Sequence, residues 1–352
     1  MIAIRVDGNS EIATGHIMRC LAVANGLQAS GKECIFIVAD NKSESLLSSS
    51  GFKIINLHSV WNDLDSEISK IIAVIEEQDI DRLIVDTYFV TEKYLYALEE
   101  VCRVIYIDDL NAFKYPVSVL INYNLYASDI PYSKIYAGTN TRLLLGPKYA
   151  PLRSEFQNIK PHFRENVKKI LITAGGVDTY NAAGEILQKV VKDEFFNGIE
   201  FHVVAGQLNS HTGELESISK KYPNVIIHKS VERMSELMCD CDIAVTAGGS
   251  TMYELCACGV PSICFSWADN QIPGVSVFTK MGFMISAGDI RNDSNKCVNT
   301  VVNGLKMYCR DSDMRVRCGK KLKGVVDGEG TKRICDFIEY KIKVTYDIDV
   351  HS

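Results

Sequence analysis

The sequence predicts an α/β chain built from two doubly wound, Rossmann-like domains, and three observations carry that expectation. Short β-branched runs alternate with helical stretches almost throughout. Those runs fall into two series divided by a turn-rich segment. Several strand-to-helix turns carry glycines where the backbone must turn tightly. Near-continuous apolar strands separated by helices imply a parallel sheet covered on both faces.

The first series comprises the strand candidates Ile2–Val6, Cys34–Val38, Leu83–Val85, Val104–Ile107 and Val119–Ile121, with helical patterns at 15–29, 64–78 and 91–100. Gly146-Pro147-Lys148-Tyr149-Ala150-Pro151 and the polar stretch to about residue 167 read as a linker. A second series starts at Lys169–Thr173 and continues through Phe201–Ala205, Val225–His228, Ile243–Thr246 and Ser262–Phe265. Residues 294–342 read as helices that close the second domain or cross back to the first. The expected domains are therefore 1–150 and 151–342, facing each other across a cleft, with a frayed tail at 343–352. A chain of 352 residues is too long for one ordinary core, at roughly 150 residues per domain.

Hydrophobic residues make up 47% and charged residues 23%, as in a globular protein. No apolar run approaches the ~20 residues that span a bilayer. Asp7 arrives too early for a signal peptide, which places the chain in the cytosol without a membrane partner. A net charge of -6 and a pI near 5.7 argue against nucleic acid. The sequence leaves the oligomeric state open, a monomer being admissible. Among the 12 cysteines, Cys239-x-Cys241 and Cys256-x-Cys258 look metal-like, but zinc pairs are usually spaced by two to four residues. Small buried hydrophobes in a reducing compartment are the better reading, and neither metal nor cofactor is expected.

Gly15-His16-Ile17-Met18-Arg19-Cys20 follows the first strand, and strand-to-helix turns are where open α/β sheets place ligand chemistry. Histidine is suited to accept a proton near neutral pH, and a helix N-terminus favours its neutral form. Asp86 and Tyr88, Asp108 and Asp109, and Asn122 and Asn124 follow further strands, so they should converge near His16. In the second domain, Gly248-Gly249-Ser250-Thr251 follows a strand directly. Ser250 there would cap the next helix, turning its N-terminus toward a diphosphate, and Glu254 would accept ribose hydroxyls. Gly175-Gly176-Val177-Asp178 repeats the design. Two motifs are decoys. Gly26-x4-Gly31-Lys32 imitates a phosphate loop in the wrong helix-to-strand order, and Asp240-Cys241-Asp242 precedes a strand.

Asp7, Gly15-His16-x2-Arg19, Asp86-x-Tyr88, Asp108-Asp109, Asn122-x-Asn124, Tyr149-x2-Leu152-Arg153-x-Glu155-Phe156 and Gly175-Gly176-x-Asp178 occur in that order. Together they resemble the UDP-sugar hydrolases of pseudaminic acid biosynthesis, which have the GT-B fold and are related to spore-coat polysaccharide glycosyltransferase-like proteins. The resemblance spans about residues 1–285. It implies metal-free hydrolysis of UDP-2,4-diacetamido-2,4,6-trideoxy-β-L-altropyranose to UDP and free sugar, with inversion at the anomeric carbon. It makes His16 the water-activating base and Tyr88 a catalytic cleft tyrosine. It assigns substrate contacts to Asp7, Gly15, Arg19, Asp86, Asp109, Asn122, Asn124, Arg153 and Gly176. The UDP site would comprise Gly248, Gly249, Ser250, Thr251, Glu254 and Asn270. Ala13 departs from the family glycine and should stiffen its loop, and the chain extends past about residue 290. A transferase using a UDP-amino sugar in surface-polysaccharide synthesis, or a non-catalytic nucleotide-sugar binder, are the alternatives. The binder has no need of His16.

Overall fold

Alternating apolar strands and amphipathic helices produce two parallel sheets in a computed structural model that describes residues Met1–Lys341. The first sheet is built from β1 (Ile2–Val6), α1 (Gly15–Ala29), β2 (Cys34–Val38), α2 (Asn41–Leu47), β3 (Lys53–Asn56), α3 (Ile68–Glu77), β4 (Arg82–Asp86), α4 (Glu92–Glu99), β5 (Arg103–Ile107), β6 (Val119–Asn122), α5 (Tyr132–Ile135) and β7 (Arg142–Leu145). Its seven strands run in the order β3-β2-β1-β4-β5-β6-β7, with every pairing parallel. The strand order reverses between β1 and β4, so the loops after these two strands diverge and leave a crevice at their carboxyl ends. Val6 pairs with Asp86 there.

The second unit contains β8 (Lys169–Thr173), α6 (Ala182–Val190), β9 (Glu200–Val204), α7 (Thr212–Lys221), β10 (Val225–His228), α8 (Met234–Asp240), β11 (Ile243–Ala247), α9 (Thr251–Cys258), β12 (Ser262–Ser266), α10 (Ile272–Lys280), β13 (Ile285–Asp289), α11 (Ser294–Arg310) and α12 (Ser312–Lys323). Its parallel order, β10-β9-β8-β11-β12-β13, puts the switch point between β8 and β11. Both glycine-pair turns emerge at that point.

The compact units are Met1–Ser154 with the chain from Glu329, and Glu155–Gly328. This differs from an uninterrupted second domain to residue 342, because α13 (Gly330–Asp336) packs on α1. Gly26 makes room for it: a Cβ there would lie 2.8 Å from Thr331 Cγ2 and 2.9 Å from Cys335 Sγ. Thr331 Oγ1 donates to the Leu152 carbonyl at 2.6 Å. The phosphate-loop decoy is thus a helix-packing motif. The expected tail at 343–352 lies outside the described residues.

Three strands absent from the sequence reading, β3, β7 and β13, are all sheet edges. Edge strands are covered on fewer sides and are often short and polar. β3 and β13 lack the continuous apolar run that marked their neighbours, and β7 carries three leucines with no β-branched residue. Asp240 and Asp242 sit at the opposite, amino-terminal edge of the second sheet, paired with Arg164 at 2.8 and 3.1 Å.

A charged cluster is sealed inside the first unit. Arg5 points from β1 between Asp7, at 2.5 Å, and Glu67, whose oxygens it reaches at 2.7 and 3.0 Å. Glu67 also accepts from Tyr94 Oη at 2.9 Å and from Ser59 Oγ at 2.6 Å. The Arg5, Asp7 and Glu67 side chains have no exposed surface. Burial opposes the Arg5 charge, but Asp7 and Glu67 outweigh it and hold the guanidinium above its ordinary range.

Candidate functional site

The loop after β1 prepares the start of α1. Asn9 Oδ1 accepts from the Glu11 and Ile12 amides, and the chain then passes through Ala13 at φ 58°. That left-handed conformation is the physical reason a glycine suits the position, since a Cβ is strained there. His16 and Arg19 lie three residues apart, on one face of α1, and both meet the end of β4.

Asp86 is the hub. His16 Nδ1 lies 2.6 Å from Asp86 Oδ1. Arg19 Nη2 reaches the same oxygen at 2.5 Å, and Arg19 Nε reaches Oδ2 at 2.6 Å. Cys20 Sγ adds a contact to Oδ2 at 3.3 Å. Burial raises the Asp86 carboxyl, but Arg19 and His16 outweigh it and hold the group well below the usual carboxylate range. The carboxylate consequently contributes stability above its unfolded-state value, roughly pH 4, and loses it only as pH falls toward the depressed folded value.

An ionised Asp86 needs a proton on His16 Nδ1. Arg19 Nη2 also lies 3.0 Å from Nδ1, but the shorter contact is to the carboxylate, which takes Nδ1–H and leaves the lone pair of the neutral ring on Nε2. Nε2 has no hydrogen-bond partner among the described residues. The Tyr88 ring stands edge-on to the imidazole, with centroids 4.4 Å apart and planes at 75°. The arrangement can accept a proton at Nε2 and stabilise the resulting imidazolium through Asp86.

Arg19 links this hub to a second carboxylate. Its Nη1 reaches Asp109 Oδ2 at 2.8 Å and Tyr123 Oη at 2.7 Å. Asp109 also accepts from Tyr88 Oη at 3.3 Å and Asn124 Nδ2 at 2.8 Å. Asn122 Oδ1 receives the Asn124 amides, and Asn122 Nδ2 donates to Tyr132 Oη at 2.8 Å. Burial and Asp109 push the Tyr88 phenol well above its ordinary range, so it remains a donor. His16, Arg19, Asp86, Tyr88, Asp109, Asn122 and Asn124 thus form one connected network, as their strand-end positions predict. Gly15 is exposed beside His16, and Arg153 is half-buried in the segment that ends the first unit's continuous chain.

Asp7 does not join that network. One of its oxygens holds Arg5 and the other accepts the Ala39 amide at 2.8 Å, with 1% of the residue exposed. It is an internal anchor rather than a substrate contact. Tyr123 is the participant that sequence reading missed. Strand alternation turns it away from Asn122, but β6 ends at Asn122, and the departing chain brings the phenol to Arg19. Nothing local in the sequence marks that turn.

The two glycine turns of the second unit differ chemically. Asp178 accepts from the Ala182 and Ala183 amides at 2.7 and 3.1 Å, so it occupies the amino end of α6. Burial raises this carboxyl above its usual range, against the two amide bonds. A diphosphate would find those donors taken. The Gly176 backbone packs against Gly206, where a Cβ would lie 2.4 Å from the Gly176 carbonyl oxygen. Asp178 thus serves the fold of the turn, with the amides at the amino end of α6 already bonded to it.

After β11 the arrangement is open. Ser250 makes no side-chain cap bond and has helical φ and ψ of −56° and −26°, so it does not cap α9 as expected. Gly249 and Ser250 lead into Thr251, and Glu254 lies half-buried in the first turn. Gly248 sits against α10: a Cβ would lie 2.5 Å from Val275 Cγ2 and 3.1 Å from Gln271 Cβ. Asn270 lies half-buried in the short 3-10 turn Asp269–Gln271 that precedes α10. Gly248→Ala should cost about 1–3 kcal/mol of stability through overpacking. Gly249→Ala, which meets open space, should stay within about 0.5 kcal/mol of wild type. Thermal unfolding of the two variants checks the difference, and equal losses would refute this packing.

No family model matches the chain. It is 30% identical over 275 residues to an uncharacterized protein of Methanocaldococcus jannaschii, covering 74% of this chain and 54% of that protein. It is 23% identical over 345 residues to the spore coat polysaccharide biosynthesis protein SpsG of Bacillus subtilis, covering 96% and 97%. A Helicobacter pylori protein named pseudaminic acid cytidylyltransferase and UDP-2,4-diacetamido-2,4,6-trideoxy-beta-L-altropyranose hydrolase is 27% identical over 206 residues, or 57% of this chain and 37% of that one. The chain therefore spans about half of the archaeal relative and little more than a third of the Helicobacter one.

Among solved structures it resembles MurG of Acinetobacter baumannii, with TM-score 0.67, 14% identity and coverage of 96% and 98%. The glycosyltransferase SnogD of Streptomyces nogalater gives 0.62 at 13% identity over 96% and 98%. The UDP-GlcNAc 2-epimerase of Neisseria meningitidis, solved with UDP-GlcNAc, gives 0.63 at 14% over 96% and 99%. At these identities the likeness shows the fold, two parallel-sheet α/β domains of the GT-B class.

Proposed function

We propose that this protein hydrolyses a UDP-linked diacetamido-trideoxy hexose, UDP-2,4-diacetamido-2,4,6-trideoxy-β-L-altropyranose, to the free sugar and UDP. The observation that carries the reading is the His16–Asp86 pair, with Nδ1 held at 2.6 Å and Nε2 left without a partner among the described residues. The names of the Bacillus and Helicobacter relatives support the substrate class.

In this mechanism Nε2 of His16 removes a proton from water as the oxygen attacks the anomeric carbon. The C–O bond to UDP breaks on the opposite face, giving inversion. Asp86 fixes the tautomer and steadies the imidazolium, while Arg19 holds Asp86 in place. Tyr88 fixes the plane of the imidazole. The nucleotide role falls to the Gly248–Glu254 turn, where the amino end of α9 meets the charge developing on the diphosphate. Glu254 would accept ribose hydroxyls. No step calls for a metal or other cofactor.

The test is incubation of the purified protein with a panel of UDP-amino sugars while UDP release is followed. Release should proceed without an added acceptor and at an unchanged rate in chelator. Release only on adding a sugar or lipid acceptor would make the protein a transferase that uses the same base on a hydroxyl. UDP-sugar binding without any release would make it a binding protein.

A further inference from the structure

Arg19 carries one positive charge between two carboxylates. Its Nε and Nη2 hold Asp86 at 2.6 and 2.5 Å, and its Nη1 holds Asp109 Oδ2 at 2.8 Å. The Arg19 and Asp109 side chains keep 6% and 9% of their surface and Asp86 none, so solvent ions screen these charges weakly. Burial opposes the Arg19 charge, and Asp109 and Asp86 together outweigh it. Asp109 has no second cation among the described residues. Its other side-chain donors are neutral: Tyr88 Oη at 3.3 Å and Asn124 Nδ2 at 2.8 Å.

The other titratable groups that meet this network are neutral. Helix α1 adds the Cys20 thiol, the turn after β4 the Tyr88 phenol, and the chain after β6 the Tyr123 phenol. Burial raises all three above their ordinary ranges, so each keeps its proton. Two further carboxyl groups turn elsewhere. Asp7 closes on Arg5, and Asp108 accepts from Tyr132 and Tyr115 at 2.6 and 3.1 Å. One guanidinium and two carboxylates therefore set the charge beside the imidazole, and the carboxylates are in excess. Without Asp109 the guanidinium would cancel Asp86, and a proton arriving on His16 would meet a neutral pair.

We infer that Asp109 is a positioning residue for the base: by neutralising Arg19 it leaves the Asp86 charge to stabilise the His16 imidazolium, a role that rests on reading His16 as the base. Asp109 then acts through Arg19 rather than on substrate. Its bond from Tyr88 also fixes the ring that stands edge-on to the imidazole.

The test compares the titration of His16 in the wild-type chain and in Asp109→Asn, read by NMR from the imidazole signal that disappears in His16→Asn. Asparagine keeps an oxygen for Arg19 and Tyr88 but removes the charge, so His16 should titrate about one pH unit lower. Asp109→Glu retains the charge and should titrate nearer to wild type. The acid limb of the kcat/KM profile for UDP release should move to lower pH with the titration, while the plateau falls because the nitrogen is less basic. An unshifted titration would overturn the role whatever the turnover. A shifted titration beside an unshifted acid limb would keep the electrostatic link and dismiss His16 as the base. If the asparagine variant does not fold, Asp109→Ser removes the same charge and leaves room for water. Failure of both to fold would make Asp109 purely structural and overturn the assignment.

Discussion

His16→Asn is expected to lower turnover by at least about 10² while leaving the fold and UDP affinity intact. The amide of asparagine can still donate to Asp86, so the network around Arg19 should survive, but no basic nitrogen remains for the water proton. Water enriched in heavy oxygen should label the anomeric carbon of the sugar and leave UDP unlabelled, because attack is at carbon. Near-normal turnover of the variant would remove His16 from the chemistry. Label in the phosphate would instead make the reaction a phosphate hydrolysis. Calorimetric UDP titration of the same variant separates loss of chemistry from loss of binding.

The second large effect concerns stability. Glu67→Ala should destabilise the first unit by about 3–5 kcal/mol, because it leaves the buried Arg5 guanidinium with Asp7 alone. Tyr94 and Ser59 would lose their acceptor at the same time. Glu67→Gln should cost clearly less, since an amide oxygen still accepts from Arg5. Urea unfolding followed by a probe in the first unit reads both variants. Equal, small losses would mean that the cluster is not the clamp described. Because Arg5 and Asp7 lie on and just after β1, the strand that leads to His16, loss of this clamp should also loosen the His16 loop.

The sequence by itself determined the central strands of both sheets and the turns that leave their carboxyl ends. Burial on both faces forces continuous apolar runs, which are visible locally, and β1, β4, β8 and β11 all show them. Once those strands are placed, topology carries His16, Asp86, Asp109 and Asn124 to one rim. Hence most of the candidate network is legible in the sequence. Three of the four edge strands, β3, β7 and β13, are not, because β3 and β13 are diluted by polar or small residues and β7 has no β-branched residue, whereas the edge strand β10 is legible. Tertiary structure alone decided which polar groups spend their hydrogen bonds on the fold. Asp7 faces Arg5, and Asp178 closes α6, although each lies in a strand-to-helix turn of the same kind as the one that Asp86 opens. The partners of His16 and Arg19 in Asp86 lie 70 and 67 residues away. Partner choice over such distances depends on how helices and loops pack onto the sheet, and no local residue pattern encodes it.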